Sequence, residues 1–377
     1  MGNSLNVLML LTDGYGGAGG IAKFNRDFLQ ALDGCSAVAR VHAFPRLIAM
    51  AIPESIPERV VYDRAAARGR VAFIRRLVGY VCRGHRPQLV VCGHLHLLPA
   101  AWLLARVCRA KLALIVHGIE AWTPSRKLLV KRLARLIDCG LVVSRYSAAR
   151  FASWSGVPLE RLFVLPNCVD LQRFLPLTRE PNLIARYGLQ GSTVLLTVGR
   201  LASAERYKGF DQVIELMPRL VERFPSLKYL VVGGGDDRGR LEKKAKELGV
   251  SGNVVFAGQI PEAEKVAHYN LADAFVMPST GEGFGIVLIE AAACGLPVIG
   301  SRADGSREAL LDGRLGRLVD PKSPSELYAA IVDALQSPGE RRRIDDVETF
   351  GSARFQERVE GWLTQLIGSP VTTQLSS

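Results

Sequence analysis

The sequence predicts an α/β protein made of two Rossmann-like, doubly wound domains that face a central cleft. Its 377 residues exceed what one core usually organises, since domains commonly contain about 100–200 residues. Short apolar, β-branched runs alternate with helical patterns twice along the chain, and runs that are apolar on both faces are typical of buried parallel strands. Ligands of such sheets bind beyond the carboxyl ends of the strands, so we expect the site in the cleft.

The strand candidates fall into two groups. Those of the first half are 5–11, 38–44, 89–92, 112–116, 141–143 and 162–165. Those of the second half are 193–198, 228–232, 254–256, 274–277, 297–300 and 315–319. Helical patterns separate most neighbouring candidates, which favours parallel sheets with helices on both faces.

We expect the division between the domains within 166–181, a stretch rich in Pro, Asn and Asp that has no periodicity. The predicted domains are therefore 1–175 and 176–350. A final helix is predicted up to residue 367, because Phe355, Val359, Trp362, Leu363 and Leu366 fall on one stripe. The polar end, 368–377, is expected to be a flexible tail.

The composition excludes several classes of protein. Apolar residues make up 48% and charged residues 22%, as in ordinary soluble globular proteins, so disorder of the whole chain is excluded. The sequence has no charge-free run long enough to span a membrane and no signal peptide, which predicts a cytoplasmic protein. Seven scattered cysteines without C-x-x-C spacing favour reduced thiols over disulfides or zinc.

Charge is concentrated in the first half. Residues 1–175 carry +14 and the remainder −2, of the chain's net +12. The segments 64–86 and 126–135 place arginines and lysines between apolar residues at helical spacing. They are either solvated amphipathic surface helices or a face that adsorbs peripherally to anionic lipid at low salt. Nucleic acid is disfavoured, because aromatic residues are few here and no binding motif is present.

A glycine-rich loop follows the first strand candidate and precedes a helical pattern. Gly14, Gly16 and Gly19 satisfy the dinucleotide motif G-x-G-x-x-G. A nicotinamide-dependent dehydrogenase would also place a carboxylate at the end of the second strand, but that end is His42-Ala43-Phe44-Pro45. The dehydrogenase is therefore the more remote alternative. The loop is otherwise either a tight turn without a ligand or a backbone segment that approaches a substrate or phosphate.

Three pieces lie at the carboxyl ends of strand candidates in the second half. Gly199-Arg200 and Lys208 bring two cations to the same end of the predicted sheet, where they could neutralise a pair of phosphates. The turn at 233–237 ends in two aspartates, and with no third metal ligand in view we interpret it as a capped turn. The third piece is the loop 281–285, which leads into an apolar helix.

Glu290 is the single charged residue of that apolar helix and should be buried, so it needs partners. Ribose hydroxyls would be suitable donors to its carboxylate, and a structural ion pair is the alternative. Glu282 precedes it by eight residues and would point to whatever lies before the helix N-terminus, an end that favours a diphosphate.

These residues resemble a known family. The segment from Glu282 to Glu290 is similar to the E-x7-E motif of retaining GT-B glycosyltransferases, glycosyltransferase family 4. Gly199-Arg200 with Lys208-Gly209 resembles the diphosphate-binding pair of that family. Further matches in chain order are 16–20, His117-Gly118, Ser144 and 166–170, so the resemblance covers about residues 7–366. Two departures are the longer segment 201–207 and Cys168, which stands where glycine is common.

The resemblance implies transfer of a hexosyl unit from a nucleotide diphosphate sugar to an acceptor hydroxyl, with retention and without a metal or other cofactor. A UDP-sugar is favoured and a GDP-sugar is the alternative donor, while the acceptor would be a lipid-linked or polysaccharide precursor. The domain 1–175 would bind the acceptor, 176–350 would bind the nucleotide sugar, and the helix 351–367 would cross back to the first domain. A GT-B sugar phosphorylase or epimerase is the related alternative.

The resemblance also implies roles for single residues. Arg200, Lys208 and the helix N-terminus would stabilise the leaving diphosphate in place of a metal. Glu282 would bind donor-sugar hydroxyls near the reacting carbon, and His117 would contact the donor sugar or the acceptor, although a lone histidine ending a strand is as often a packed core residue. The implied donor-binding residues are Gly16, Gly17, Gly19, Arg200, Lys208, Gly258, Gln259, Ile260, Glu282, Gly283, Phe284, Gly285 and Glu290.

Overall fold

A computed structural model describes residues 4–52, 55–336 and 341–368 of the chain. The described residues separate into two compact units. The first contains the residues up to Cys168 together with those from Ser352 onward, and the second is Val169–Gly351. Each unit is a parallel sheet covered by helices, which confirms the predicted α/β class.

The sheet of the first unit has seven strands in the order β3-β2-β1-β4-β5-β6-β7, and every pairing is parallel. The strands are β1 Leu5–Leu11, β2 Val38–Pro45, β3 Val60–Tyr62, β4 Leu89–Cys92, β5 Lys111–Val116, β6 Cys139–Val142 and β7 Leu162–Val164. The sequence did not predict β3, because an edge strand of three residues is too short to show a pattern.

Five helices lie between these strands in the described part of the first unit. They are α1 Gly20–Gly34, α2 Arg70–Cys82, α3 Leu98–Cys108, α4 Leu128–Ala134 and α5 Arg145–Ser155. The central strands β1 and β4 are almost completely buried, because helices cover both faces of the sheet. The core therefore lies along the two faces of the sheet, and the strand ends carry the exposed loops.

The second unit repeats this design with six strands in the order β10-β9-β8-β11-β12-β13, again all parallel. The strands are β8 Thr193–Val198, β9 Leu227–Val232, β10 Val254–Gly258, β11 Ala274–Met277, β12 Val298–Ser301 and β13 Arg317–Val319. The helices are α6 Pro181–Tyr187, α7 Phe210–Arg223, α8 Arg238–Glu247, α9 Lys265–Asn270, α10 Ile286–Ala293, α11 Ser306–Ala309 and α12 Pro324–Gln336. Strand order reverses at β8 and β11, the position where ligands bind in doubly wound sheets.

The last helix, α13 (Ser352–Gly368), belongs to the first unit and packs on α1. The ring of Phe355 meets that of Phe24 edge-on with centroids 5.8 Å apart, and Trp362 lies 5.9 Å from Phe28. All four aromatic side chains are buried, so this contact closes one side of the first core. Beyond Gly368, the predicted flexible tail lies outside the described residues.

The structure also bears on membrane spanning and on the state of the cysteines. No helix among the described residues is both long and apolar enough to cross a bilayer. All the cysteines are free thiols, and all except Cys82 are buried.

Candidate functional site

Four charged side chains meet at the carboxyl edge of the second sheet, where strand order reverses. We call Arg200, Glu205, Lys208 and Glu282 the charge cluster. The Nζ atom of Lys208 lies 2.6 Å from Oε1 of Glu282 and 3.7 Å from Oε2 of Glu205. Arg200 pairs through Nη2 with Oε1 of Glu205. The structure thus brings together the three residues that the sequence singled out here, and adds Glu205, which it did not.

The members of this cluster differ in burial. The side chains of Lys208, Glu282 and Glu205 are 14%, 16% and 15% exposed, whereas that of Arg200 is 72% exposed. Burial alone would lower the pKa of Lys208, but Glu282, Tyr207 and Glu205 outweigh it and raise the pKa above its usual value. Lys208 therefore carries a positive charge at neutral pH, and the solvent-exposed guanidinium of Arg200 lies nearby.

Backbone packing holds the Lys208 segment against the loop that follows β11. The amide of Thr280 donates to the Tyr207 carbonyl over 2.8 Å. A Cβ atom at Gly281 would lie 2.6 Å from the Tyr207 ring, and one at Gly209 would lie 2.7 Å from Pro278. Glycine is therefore needed at both positions for Lys208 to reach Glu282, and the longer segment 201–207 does not displace it.

Asp304 fixes the backbone of Glu282, a role that the sequence analysis missed. Its Oδ2 atom accepts from the Glu282 amide over 2.8 Å, and its Oδ1 atom accepts from the Ser306 amide over 2.9 Å. Gly305 donates to the Glu282 carbonyl, and a Cβ there would lie 2.1 Å from the Gly283 carbonyl oxygen. Burial raises the pKa of Asp304 to about 6.

The remaining loop residues divide between the strand edge and the core. Gly285 has φ +92° and immediately precedes α10, as expected for a glycine at a helix start. Phe284, in contrast, is 2% exposed and packs on Phe350 with centroids 5.3 Å apart. Its side chain therefore anchors the loop from inside the unit and does not line the edge.

Glu290 is completely buried, and both of its oxygens have partners. The Lys265 Nζ atom lies 2.9 Å from Oε1 and 2.8 Å from Oε2, and the Tyr269 hydroxyl donates to Oε2 over 2.8 Å. Burial and the carboxylate raise the pKa of Tyr269 well above its usual value, so its hydroxyl stays a donor. The structure thus contains the ion pair that was one of the two expectations. Because the Glu290 side chain is 0% exposed, a ribose could reach this carboxylate only after a local rearrangement.

The neighbouring strand ends complete this edge. Gly258 ends β10 with φ +76° and accepts from the Gly233 amide over 2.9 Å, and Gln259 after it is exposed. Ile260 is half-buried beside it. Asp236 accepts from the amide and the hydroxyl of Ser203, which ties the turn after β9 to the segment that carries Lys208.

In the first unit, the glycine loop is only partly available to a ligand. Gly16 and Gly17 are buried, and the Gly16 carbonyl accepts from the amides of Ala49 and Met50. A Cβ at Gly16 would lie 2.7 Å from the Met50 carbonyl oxygen. Gly19 is exposed with φ +88° and has open space around it. The first glycines therefore serve packing, and the backbone around Gly19 faces solvent.

His117 follows β5 at the same edge of the first sheet. Its Nε2 atom lies 3.0 Å from the Gly93 carbonyl oxygen, which can only accept, so Nε2 carries the proton and Nδ1 remains an acceptor. Phe24 packs edge-on against the ring. Burial lowers the pKa of His117 to about 4, so the ring is neutral at pH 7.

Sequence reasoning missed two polar residues next to His117. Glu120 accepts through Oε1 from the amides of His117 and Gly118, and so fixes this turn. His94 follows β4, is buried, and has its pKa lowered to about 4 by burial. Its place two residues after the strand candidate 89–92 was the available signal.

Two family profiles match the chain. The profile described as Glycosyltransferase Family 4 matches residues 18–173, and that described as Glycosyl transferases group 1 matches residues 181–347. A GDP-mannose-dependent alpha-(1-6)-phosphatidylinositol monomannoside mannosyltransferase of Mycolicibacterium smegmatis is 36% identical over 250 residues, which are 63% of this chain and 64% of that protein. A phosphatidyl-myo-inositol mannosyltransferase of the same species is 34% identical over 208 residues, 55% of this chain and 50% of that protein. The alignments therefore span less than two thirds of either relative.

Solved structures share the fold at lower identity. Sucrose-phosphate synthase from Thermosynechococcus elongatus matches with a TM-score of 0.77 and 22% identity, covering 97% of this chain and all of that chain. Anabaena HepE in complex with UDP matches with a TM-score of 0.74 and 20% identity, covering 96% of this chain and all of that chain. The two parallel sheets and these likenesses confirm the predicted GT-B fold.

Replacing Glu290 by Ala should destabilise the second unit by about 3 kcal/mol, because the Lys265 ammonium and the Tyr269 hydroxyl would lose their buried partner. Tyr269→Phe removes one hydrogen bond and should cost about 1 kcal/mol. Urea unfolding followed by circular dichroism measures both values. An Ala variant as stable as the parent would contradict this account of the buried pair.

Asp304 should make stability depend on pH. Its pKa of about 6 in the folded chain lies above the ordinary 3.8, so its contribution is fully present below pH 3.8 and is lost as the pH rises through 6. The loss is on the order of 3 kcal/mol. Asp304→Asn cannot ionise, so its melting temperature relative to the parent should rise between about pH 4 and about pH 7 in scanning calorimetry. A difference that is independent of pH would argue against this.

Proposed function

The chain belongs to the GT-B glycosyltransferases of family 4, and on that premise we propose that it transfers a hexosyl unit from a nucleotide diphosphate sugar to an acceptor hydroxyl with retention at the anomeric carbon. The observation that carries the proposal is the charge cluster, in which a buried ammonium and an exposed guanidinium stand beside a carboxylate at the sheet's switch point. This arrangement suits a reaction whose leaving group is a diphosphate.

The leaving diphosphate gains negative charge as the bond to the sugar breaks. Lys208 and Arg200 are cations at this edge that would stabilise this charge in place of a metal. Glu282 accepts a hydrogen bond from Lys208 through its carboxylate, and its backbone amide donates to Asp304. These contacts would orient the carboxylate to accept from sugar hydroxyls. The proton of the acceptor hydroxyl would pass to a diphosphate oxygen on the same face, which gives retention without a dedicated base.

Other residues at the two strand edges would bind the substrates. The exposed backbone near Gly258 and Gln259 is suited to the base, and Glu290 to the ribose after a local rearrangement. In the first unit, the backbone around Gly19 would approach the donor, and the neutral His117 would accept from a sugar or acceptor hydroxyl through Nδ1.

The donor proposed is GDP-mannose. The two mycolicibacterial relatives above 30% identity are mannosyltransferases, and the name of the more similar one specifies GDP-mannose. A UDP-sugar, which the sequence analysis favoured, is the competing donor. The acceptor proposed is a membrane lipid with an inositol or saccharide headgroup, because both relatives are named for phosphatidylinositol acceptors.

A lipid acceptor requires access to a membrane, and α2 offers a suitable face. Val71, Ile74 and Val78 lie on one side of this helix and are 80%, 61% and 55% exposed. Arg70 and Arg75 are exposed beside them, and α2 contains no acidic residue. Apolar side chains bordered by arginines suit peripheral adsorption to an anionic bilayer. The enzyme would then act at the cytoplasmic face of the membrane.

Lys208→Ala should lower turnover of GDP-mannose about a hundredfold or more, because a preorganised charge on the leaving group is lost. Lys243→Ala, a change on the exposed side of α8, is the matched control and should leave turnover unchanged. The assay supplies GDP-mannose, UDP-glucose or ADP-glucose with a phosphatidylinositol acceptor and EDTA. Proton NMR then gives the anomeric configuration of the product.

Failure of the parent protein to bind or consume any of these donors would overturn the transferase proposal. Product formed only with inorganic phosphate would indicate a phosphorylase, and a changed donor sugar without acceptor would indicate an epimerase. A product with inverted anomeric configuration would contradict only the proposed retention and would leave the transferase proposal intact.

Arg75→Glu should reduce sedimentation of the protein with phosphatidylglycerol vesicles, since it reverses one charge beside the exposed apolar stripe. Arg223→Glu, an exposed arginine in the second unit, is the control for net charge and should have a smaller effect. Binding of the parent should fall as salt is raised, because screening shortens the reach of surface charge. Equal binding to neutral phosphatidylcholine vesicles would contradict the adsorption proposal.

A further inference from the structure

Glu205 contacts both cations that the proposed function assigns to the diphosphate. It pairs with Arg200 through Oε1 and lies 3.7 Å from Lys208 through Oε2. Glu282 already pairs with Lys208 over 2.6 Å, so Lys208 does not need Glu205 as its only counter-ion. The cluster thus contains one carboxylate more than the buried lysine requires.

The second oxygen of Glu205 is poorly satisfied where it lies. The side chain is 15% exposed, and Oε2 is buried without a hydrogen-bond partner. A buried carboxylate oxygen that lacks a donor is costly, and only the nearby charges offset that cost. Its position is therefore explained by attraction to the cations and not by a complete hydrogen-bond set.

The local backbone places this side chain in the cluster. Glu205 lies in the short turn Ser203–Lys208 and interrupts its helical geometry with φ −118° and ψ 30°. Both ends of the turn are tied down, because Asp236 accepts from Ser203 and the Tyr207 carbonyl accepts from Thr280.

We propose that Glu205 is an internal counter-anion. In the free protein it pairs with the two cations that would bind the diphosphate. It withdraws when the donor binds and returns when the nucleoside diphosphate leaves. This inference rests on the proposed function. A carboxylate and a diphosphate cannot share two cations at close range without strong repulsion. Glu205 therefore lowers the affinity for the donor and for the nucleotide product, and it keeps the site from being blocked by that product.

The inference is tested with Glu205→Gln, which keeps the size of the side chain and removes its charge. Isothermal titration calorimetry with GDP, UDP and inorganic pyrophosphate should show a Kd lower by roughly three- to tenfold than in the parent, by a similar factor for every ligand that binds. The KM for donor and the inhibition constant for nucleoside diphosphate should fall together. Glu247→Gln, which removes an exposed carboxylate at the end of α8, is the control and should leave Kd unchanged.

The sign of the change separates competition from a merely structural role. If Glu205 only oriented the two cations, the Gln variant would bind all three ligands more weakly, and this result or an unchanged Kd would overturn the inference while leaving the proposed function intact. Absence of binding by parent and variant alike would overturn the proposed function as well. Should the Gln variant fail to fold, Glu205→Asp, with a shorter reach, should tighten binding by a smaller factor.

Discussion

Parallel strand pairing is the constraint on which both candidate sites depend. In each sheet every described pair is parallel, so all the loops that follow strands emerge at one edge. Residues far apart in sequence, such as Lys208 and Glu282, meet for this reason. The helices that cover both faces hold the strands in place, so the loops that carry the charged side chains begin at defined positions.

The charges within the charge cluster balance one another. Two cations and two carboxylates pair within the cluster, and Asp304 adds a third carboxyl group that binds backbone amides. Such balance keeps the buried lysine charged, and it also means that an incoming anion must compete with groups already in place.

Much of the fold could be predicted from the sequence, because buried parallel strands appear as short apolar runs and helical patterns separate most of them. The strand β3 could not, since three edge residues show no period. In the second unit, residue order predicted that Arg200, Lys208 and the loop 281–285 lie at strand ends, but it could not reveal that Lys208 pairs with Glu282 or that Phe284 points into the core. Lys265 and Tyr269, which are the partners of Glu290, both come from α9, and only the tertiary packing brings the two helices together.

The packing of α13 on α1 has a consequence for biosynthesis. The second unit is inserted into the first, so Phe355 and Trp362 are translated only after all of Val169–Gly351. Until then Phe24 and Phe28 lack the aromatic cover that they have in the finished protein. During synthesis on the ribosome, the nascent first unit thus exposes apolar side chains that α13 later covers. Exposed apolar surface of this kind is what chaperones bind.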